Sequence, residues 1–188
     1  RVLACYATRG LASMEQVEKL TGLTRKQVRL AIGGLSDPGH PEWGSWGGRF
    51  QRGSGLLFVD ASDEVSGQRH VRATVWRWRP RFQHQFQARM DWCVKPFAEA
   101  NHEPLAVLNG DAGRRVIELI ATPGETVALS AAGSRDPDGQ KLTCRWWIYR
   151  EAGTYPGSVS LAGESSLEAS LTVPQDAACK ASHAILEG

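Results

Sequence analysis

The chain has 188 residues, 41% of them hydrophobic and 22% charged, with a net charge of +2 at neutral pH. Such totals describe a folded protein of one or two domains, and so small a charge argues against nucleic acid or an anionic membrane as the partner of the whole chain. No apolar run approaches the roughly 20 residues that a membrane-spanning helix needs.

Residues 1–35 are helical and basic in pattern, with Arg1, Arg9, Lys19, Arg25, Lys26 and Arg29 set against Glu15 and Glu18. Ser13 suits an N-cap, and Gln16 completes a capping box. Val17 and Leu20 form an apolar stripe, and Gly22 suits the left-handed residue that closes a helix. Thr24 then caps a second helix whose Val28, Ala31 and Ile32 or Leu35 face inward. Two short helices about a glycine turn have the shape of a helix-turn-helix. On one reading this is a DNA-binding regulator that places Thr24, Arg25, Lys26 and Arg29 toward a major groove. On the other it is a helical hairpin with a solvated basic face.

Residues 36–104 are rich in Gly, Trp and Arg. The stretch from Gly33 to Phe50 holds too much Gly and Pro for regular helix and predicts a loop with closely approaching backbone. His40, Glu42, Trp43, Trp46 and Arg49 are its candidate ligand residues. Indole faces stack on the C–H face of a sugar, while a carboxylate and a guanidinium hydrogen-bond its hydroxyls. The competing reading is a packed structural loop in which Arg49 pairs with Glu42. Next, Leu56–Asp60 reads as a buried strand, Ser62–Gln68 as a polar loop, and Thr74–Trp78 as extended because Pro80 disfavours helical angles at Arg79. Pro80 opens a helix in which Phe82, Phe86, Met90 and Cys93 form an inward stripe. The arginines at 77, 79, 81 and 89 suit nucleic acid less well than stem packing and salt bridges. Phe97–Pro104 reads as a helix end and a linker.

From Leu105 onward, short runs of alternating apolar and polar residues are separated by turn signals. Strands are expected at Val116–Ile120, through Val127, Leu129 and Ala131, from Leu142 to Ile148, near Val159 and Leu161, through Leu167, Ala169, Leu171 and Val173, and at His183–Leu186. That is about six, where an Ig-like sandwich needs about seven, so the domain reads as truncated with an open edge. Leu142, Cys144, Trp146 and Ile148 face one way and Thr143, Arg145, Trp147 and Tyr149 the other, and a core tryptophan is expected on this strand. Asp136-Pro137-Asp138-Gly139 is a turn in which two carboxylates suggest either part of a calcium site or an Asx turn. Cys5, Cys93, Cys144 and Cys179 contain no Cys-x-x-Cys pair, which argues against zinc. Cys144 and Cys179 are free thiols or, in an exported protein, a disulfide. The chain opens without methionine or signal-peptide pattern and closes inside a predicted strand, so both ends read as cuts in a longer protein.

Five stretches in order resemble one family: GLSDPGHPEWGSWGGRF, TVWRWRPRFQHQFQARMDWCV, FAEANHEP, PGETVALSAAGSRDPDGQKLTCRWWIYREAGTY and LTVPQDAACKASHAILE. This is the bacterial cellulose-binding protein family that joins an N-terminal nucleoside-hydrolase-like domain to a C-terminal cadherin-like or Ig-like domain. The resemblance covers about four-fifths of the chain. It implies an α+β chain: residues 36–104 close the α/β nucleoside-hydrolase-like domain, and 105–188 form the all-β sandwich. It implies a glycan-associated function, a carbohydrate or nucleoside-like sugar as ligand, and an extracellular or periplasmic parent. Nucleoside hydrolases generate their nucleophile on calcium held by a D-x-D-x-x-x-D-D loop. No segment here has that spacing, so this chain is expected to carry no cofactor and to be inactive alone, with calcium a candidate cofactor for the full-length parent. Residues 1–32 lie outside the resemblance.

Overall fold

The computed structural model describes residues 39–113 and 116–188, and the expected helix-turn-helix of residues 1–35 lies outside them. The described residues are mixed α/β, built of small antiparallel sheets and few helices. It divides into two compact units, Arg1–Phe82 and Gln83–Gly188.

In the first unit a 3-10 turn, Pro41–Trp43, starts at a proline and ends at Gly44 (φ 81°). Strands β1 (Phe50–Arg52) and β2 (Phe58–Asp60) form an antiparallel ribbon with Phe50 opposite Asp60. Its six strand residues are all exposed, so the buried strand expected at Leu56–Asp60 is instead a shorter, open one. Strands β3 (Asp63–Val65) and β4 (Gln68–His70) form a second ribbon where a polar loop was expected. The reason is local. Ser66 and Gly67 both take positive φ, 53° and 75°, as a tight two-residue hairpin turn demands.

Helix α1 (Ala73–Trp76) replaces the extended segment expected there. Its turn closes by hydrogen bonds from the Val75 and Trp76 amides to the Arg72 carbonyl, at 3.0 and 2.9 Å. The Thr74 hydroxyl donates to the Val71 carbonyl at 2.7 Å. Strand propensity in a Thr-Val-Trp run is a packing preference, and context overrides it. Helix α2 (Arg79–Trp92) follows, with Pro80 in its first turn. There the missing amide proton forfeits no helical bond. None of its residues is buried, and Phe86, Met90 and Cys93 are exposed, so the expected inward stripe is not covered.

In the second unit, β5 (Thr126–Ser130), β7 (Ser160–Ala162) and β8 (Glu168–Thr172) form an antiparallel sheet in the order β5-β8-β7. Strand β6 (Arg145–Ile148) pairs with β9 (Ala184–Glu187), Trp146 lying opposite Leu186. Alternation then explains the core. Leu129, Ala131, Trp146 and Ala169 are buried together, and Val127, Leu161, Leu171, Ala184 and Leu186 pack against them from both sheets. Trp146 is 1% exposed. Its indole N–H donates to the Ser166 carbonyl at 2.9 Å, and its amide donates to the Glu164 carbonyl at 2.7 Å.

One expected strand is missing from this unit. Val116–Ile120 forms no strand, and Val116, Leu119 and Ile120 are exposed. An apolar run supplies no ladder by itself; it needs a neighbour with matching backbone donors and acceptors. Leu167 is exposed, although its carbonyl accepts from the Ala131 amide at 2.7 Å. Cys144 packs against the core and Cys179 is exposed, and both are free thiols. Among the described residues no helix is long and apolar enough to cross a membrane.

Truncating the core indole tests this arrangement. Trp146→Ala is expected to cost about 3–5 kcal/mol, read as a fall in the urea midpoint for loss of β-sheet circular dichroism.

Candidate functional site

The predicted ligand loop divides into two parts. His40 and Glu42 flank Pro41 and meet through His40 Nδ1 and Glu42 Oε1 at 2.8 Å, with both side chains nearly half exposed. The His40 ring lies parallel to the Trp43 indole, 3.8 Å between centroids and 3° between planes. Burial works to raise the Glu42 pKa. Hydrogen bonds from His40 and from its own amide, with the charges of His40 and Arg52, outweigh that and hold it below its ordinary value of 4.5.

The second part is a tight turn. The Ser45 amide donates to the Gly48 carbonyl at 2.9 Å and the Gly48 amide returns a bond to Ser45 at 3.0 Å. This puts Trp46 at the tip, its ring 6.4 Å from that of Phe82. Gly48 takes φ +116°, and a Cβ there would lie 3.2 Å from the Thr74 hydroxyl. Only glycine therefore lets the turn seat against α1.

Arg49 does not pair with Glu42. Its Nε donates to Asp63 Oδ1 at 2.8 Å and its Nη2 to the Ser62 carbonyl at 3.1 Å. Arg77 approaches from α1's C-terminal end, with Nε 3.0 Å from Asp63 Oδ2 and Nη2 donating to the Glu64 carbonyl at 3.3 Å. Asp63 is 0% exposed, and the two guanidinium side chains are 10% and 11% exposed. The structure thus brings His40, Glu42 and Trp43 together, sets Trp46 on the adjoining turn, and commits Arg49 to holding the loop. Sequence reasoning missed Asp63 as the shared partner of Arg49 and Arg77. A carboxylate flanked by Ser62 and Glu64 carries no signal of burial.

The turn at Asp136 resolves as an Asx turn. Asp136 Oδ1 accepts from the Asp138 and Gln140 amides at 2.8 and 3.1 Å. Asp138 faces the other way: it accepts from the His102 amide at 2.6 Å and meets His102 Nδ1 at 2.7 Å. The hydrogen bonds from the His102 amide and ring lower the Asp138 pKa. The segment read as a linker is thereby tied to the turn at Asp136. Trp92 Nε1 adds a bond to the Asn101 carbonyl at 2.7 Å, and Gln140 Nε2 donates to Asn101 Oδ1 at 2.6 Å. Among the described residues no group of three or more His, Cys, Asp or Glu side chains is placed to hold a metal ion.

Residues 126–188 match the family of the cellulose-binding protein Sde0182, C-terminal domain. The resemblance seen in the sequence is borne out. A solved nucleoside hydrolase-related hypothetical protein from Saccharophagus degradans, associated with carbohydrate metabolism, is 36% identical and superposes with a TM-score of 0.69. The match covers 84% of this chain and 41% of that protein, so the chain spans about two-fifths of its length. No curated protein matches the chain.

Two measurements check this geometry. Asp63→Ala strands two buried guanidinium groups and is expected to cost about 3–5 kcal/mol in chemical unfolding, whereas the exposed Glu42→Ala stays within about 0.5 kcal/mol. Because the Glu42 pKa is lowered on folding, its contribution is complete above the ordinary carboxylate value and is lost as the pH falls through the depressed one. A carboxyl NMR titration should place the Glu42 midpoint below 4.5, and His40→Ala should move it upward.

Proposed function

We propose that this chain is a carbohydrate-binding portion of a secreted or periplasmic glycan-associated protein related to nucleoside hydrolases. The observation that carries the reading is the match of residues 126–188 to the C-terminal domain of a cellulose-binding protein. The related Saccharophagus protein, associated with carbohydrate metabolism, supports it. On this reading the two sheets sharing the Trp146 core are an Ig-like or cadherin-like sandwich. The first unit supplies the sugar-facing loop.

In that loop Trp43 and Trp46 contribute indole surface, which stacks on the C–H face of a pyranose. Glu42 accepts hydrogen bonds from sugar hydroxyls, and a charged acceptor strengthens such bonds. His40 orients that carboxylate. Arg49 positions the loop through Asp63, a different role from the direct sugar contact expected of it. The chain binds without hydrolysing, because its sequence contains no D-x-D-x-x-x-D-D loop to hold calcium and activate water.

Binding to microcrystalline cellulose and to soluble cello-oligosaccharides tests the reading directly. The Trp43→Ala, Trp46→Ala double variant should weaken retention at least about tenfold, the equivalent of about 1.4 kcal/mol. A nucleoside competitor distinguishes a nucleoside-like site from a glycan site. Unchanged binding in the double variant would remove the loop assignment, and absence of any glycan binding by the intact chain would remove the function.

A further inference from the structure

The β1–β2 ribbon carries apolar residues in an unusual setting. At its tip Leu56 is 91% exposed and Leu57 66%. Behind them Phe50, Phe58 and Val59 are also exposed. The register places Phe50 beside Asp60 and Arg52 beside Phe58 on one face, with Gln51 beside Val59 on the other. Apolar side chains therefore stand uncovered on both faces. A two-stranded ribbon is marginal in water without a surface to pack on, and a contiguous exposed apolar patch marks an interface.

The described part of its own unit offers little to cover it. From Gly39 to Phe82 the buried apolar residues are Ala61 and Ala73, and the largest fully buried side chain is the charged Asp63. What the described part of this unit has is a polar hub. Meanwhile the larger part of the Saccharophagus protein lies outside the match, although the matched part superposes well.

We infer that the β1–β2 ribbon is a docking face, and that its occupant is the remaining body of a nucleoside-hydrolase-related protein. The face commits that partner to a stated chemistry. Leu56, Leu57 and Val59 require an apolar surface. Arg52, lying 5.6 Å over the Phe58 ring, sets a positive charge at the rim. The inference does not depend on sugar binding at the Trp43 loop.

Hydrogen exchange on this chain and on the full-length Saccharophagus protein tests it, each protein used intact. Residues 53–57 should exchange rapidly here, and the corresponding hairpin tip in the longer protein at least about tenfold more slowly. In this chain the Leu56→Ser, Leu57→Ser variant should leave the melting temperature unchanged and lower the fluorescence of a bound apolar dye. Equal exchange in the two proteins would overturn the inference. So would a lowered melting temperature in the variant, which would mean that the leucines already pack within this chain. Protection that grows with this chain's concentration, with a sedimenting dimer abolished by the double substitution, would assign the ribbon to a second copy and overturn it as well.

Discussion

The first unit depends on one buried carboxylate. Asp63 lies at the start of β3, out of contact with water, between the guanidinium groups of Arg49 and Arg77. Removing an ion from water costs several kcal/mol, and attraction offsets that cost only when geometry and hydrogen bonding are good. Here the same two arginines also satisfy the Ser62 and Glu64 carbonyls on either side. Three chain segments distant in sequence are thereby fixed at a single point: the glycine loop, the β3 strand and the end of α1. Where large apolar side chains are not buried, directional contacts of this kind specify the arrangement.

The candidate site inherits its position from that hub. Arg49 stands immediately after the Ser45–Gly48 turn, so anchoring its side chain anchors Trp46. The Ala61 amide bonded to the Arg49 carbonyl at 3.0 Å adds a backbone tie to the same segment. Gly48 permits close approach to α1, where any side chain would crowd Thr74 and Val75. A binding surface of indoles needs such support, because a binding loop that must be ordered on contact loses affinity to the cost of ordering. The second unit uses the opposite strategy. Its Trp146 fills an apolar core between two sheets, and the residues around it follow the two-residue alternation of the strands.

Legibility differed between the units for that reason. In the second, Val127, Leu129 and Ala131 were read as alternating inward and do so, and the core tryptophan expected on the third strand is Trp146. Alternation is a direct imprint of burial. It misled at Val116–Ile120, where the pattern is present but no strand forms. In the first unit the fold rests on ion pairs and positive-φ turns. Ser66-Gly67 carried a turn signal, yet the flanking residues lack an apolar pattern to announce strands. The cluster of Trp and Gly marked a constrained loop, and within it His40, Glu42 and Trp43 lie together. It gave no indication that Arg49 would choose Asp63 over Glu42.

By itself the sequence determined the alternating core of residues 126–188, the turn at Asp136, the glycine-dependent loop and the family resemblance, because each is written in residue types at short spacing. Only the tertiary structure decided which charge meets which. Arg49 had a carboxylate seven residues away and another fourteen away, and spacing favours neither. The choice fell to the segment whose backbone carbonyls could also be satisfied, since a guanidinium held from water needs several acceptors at once.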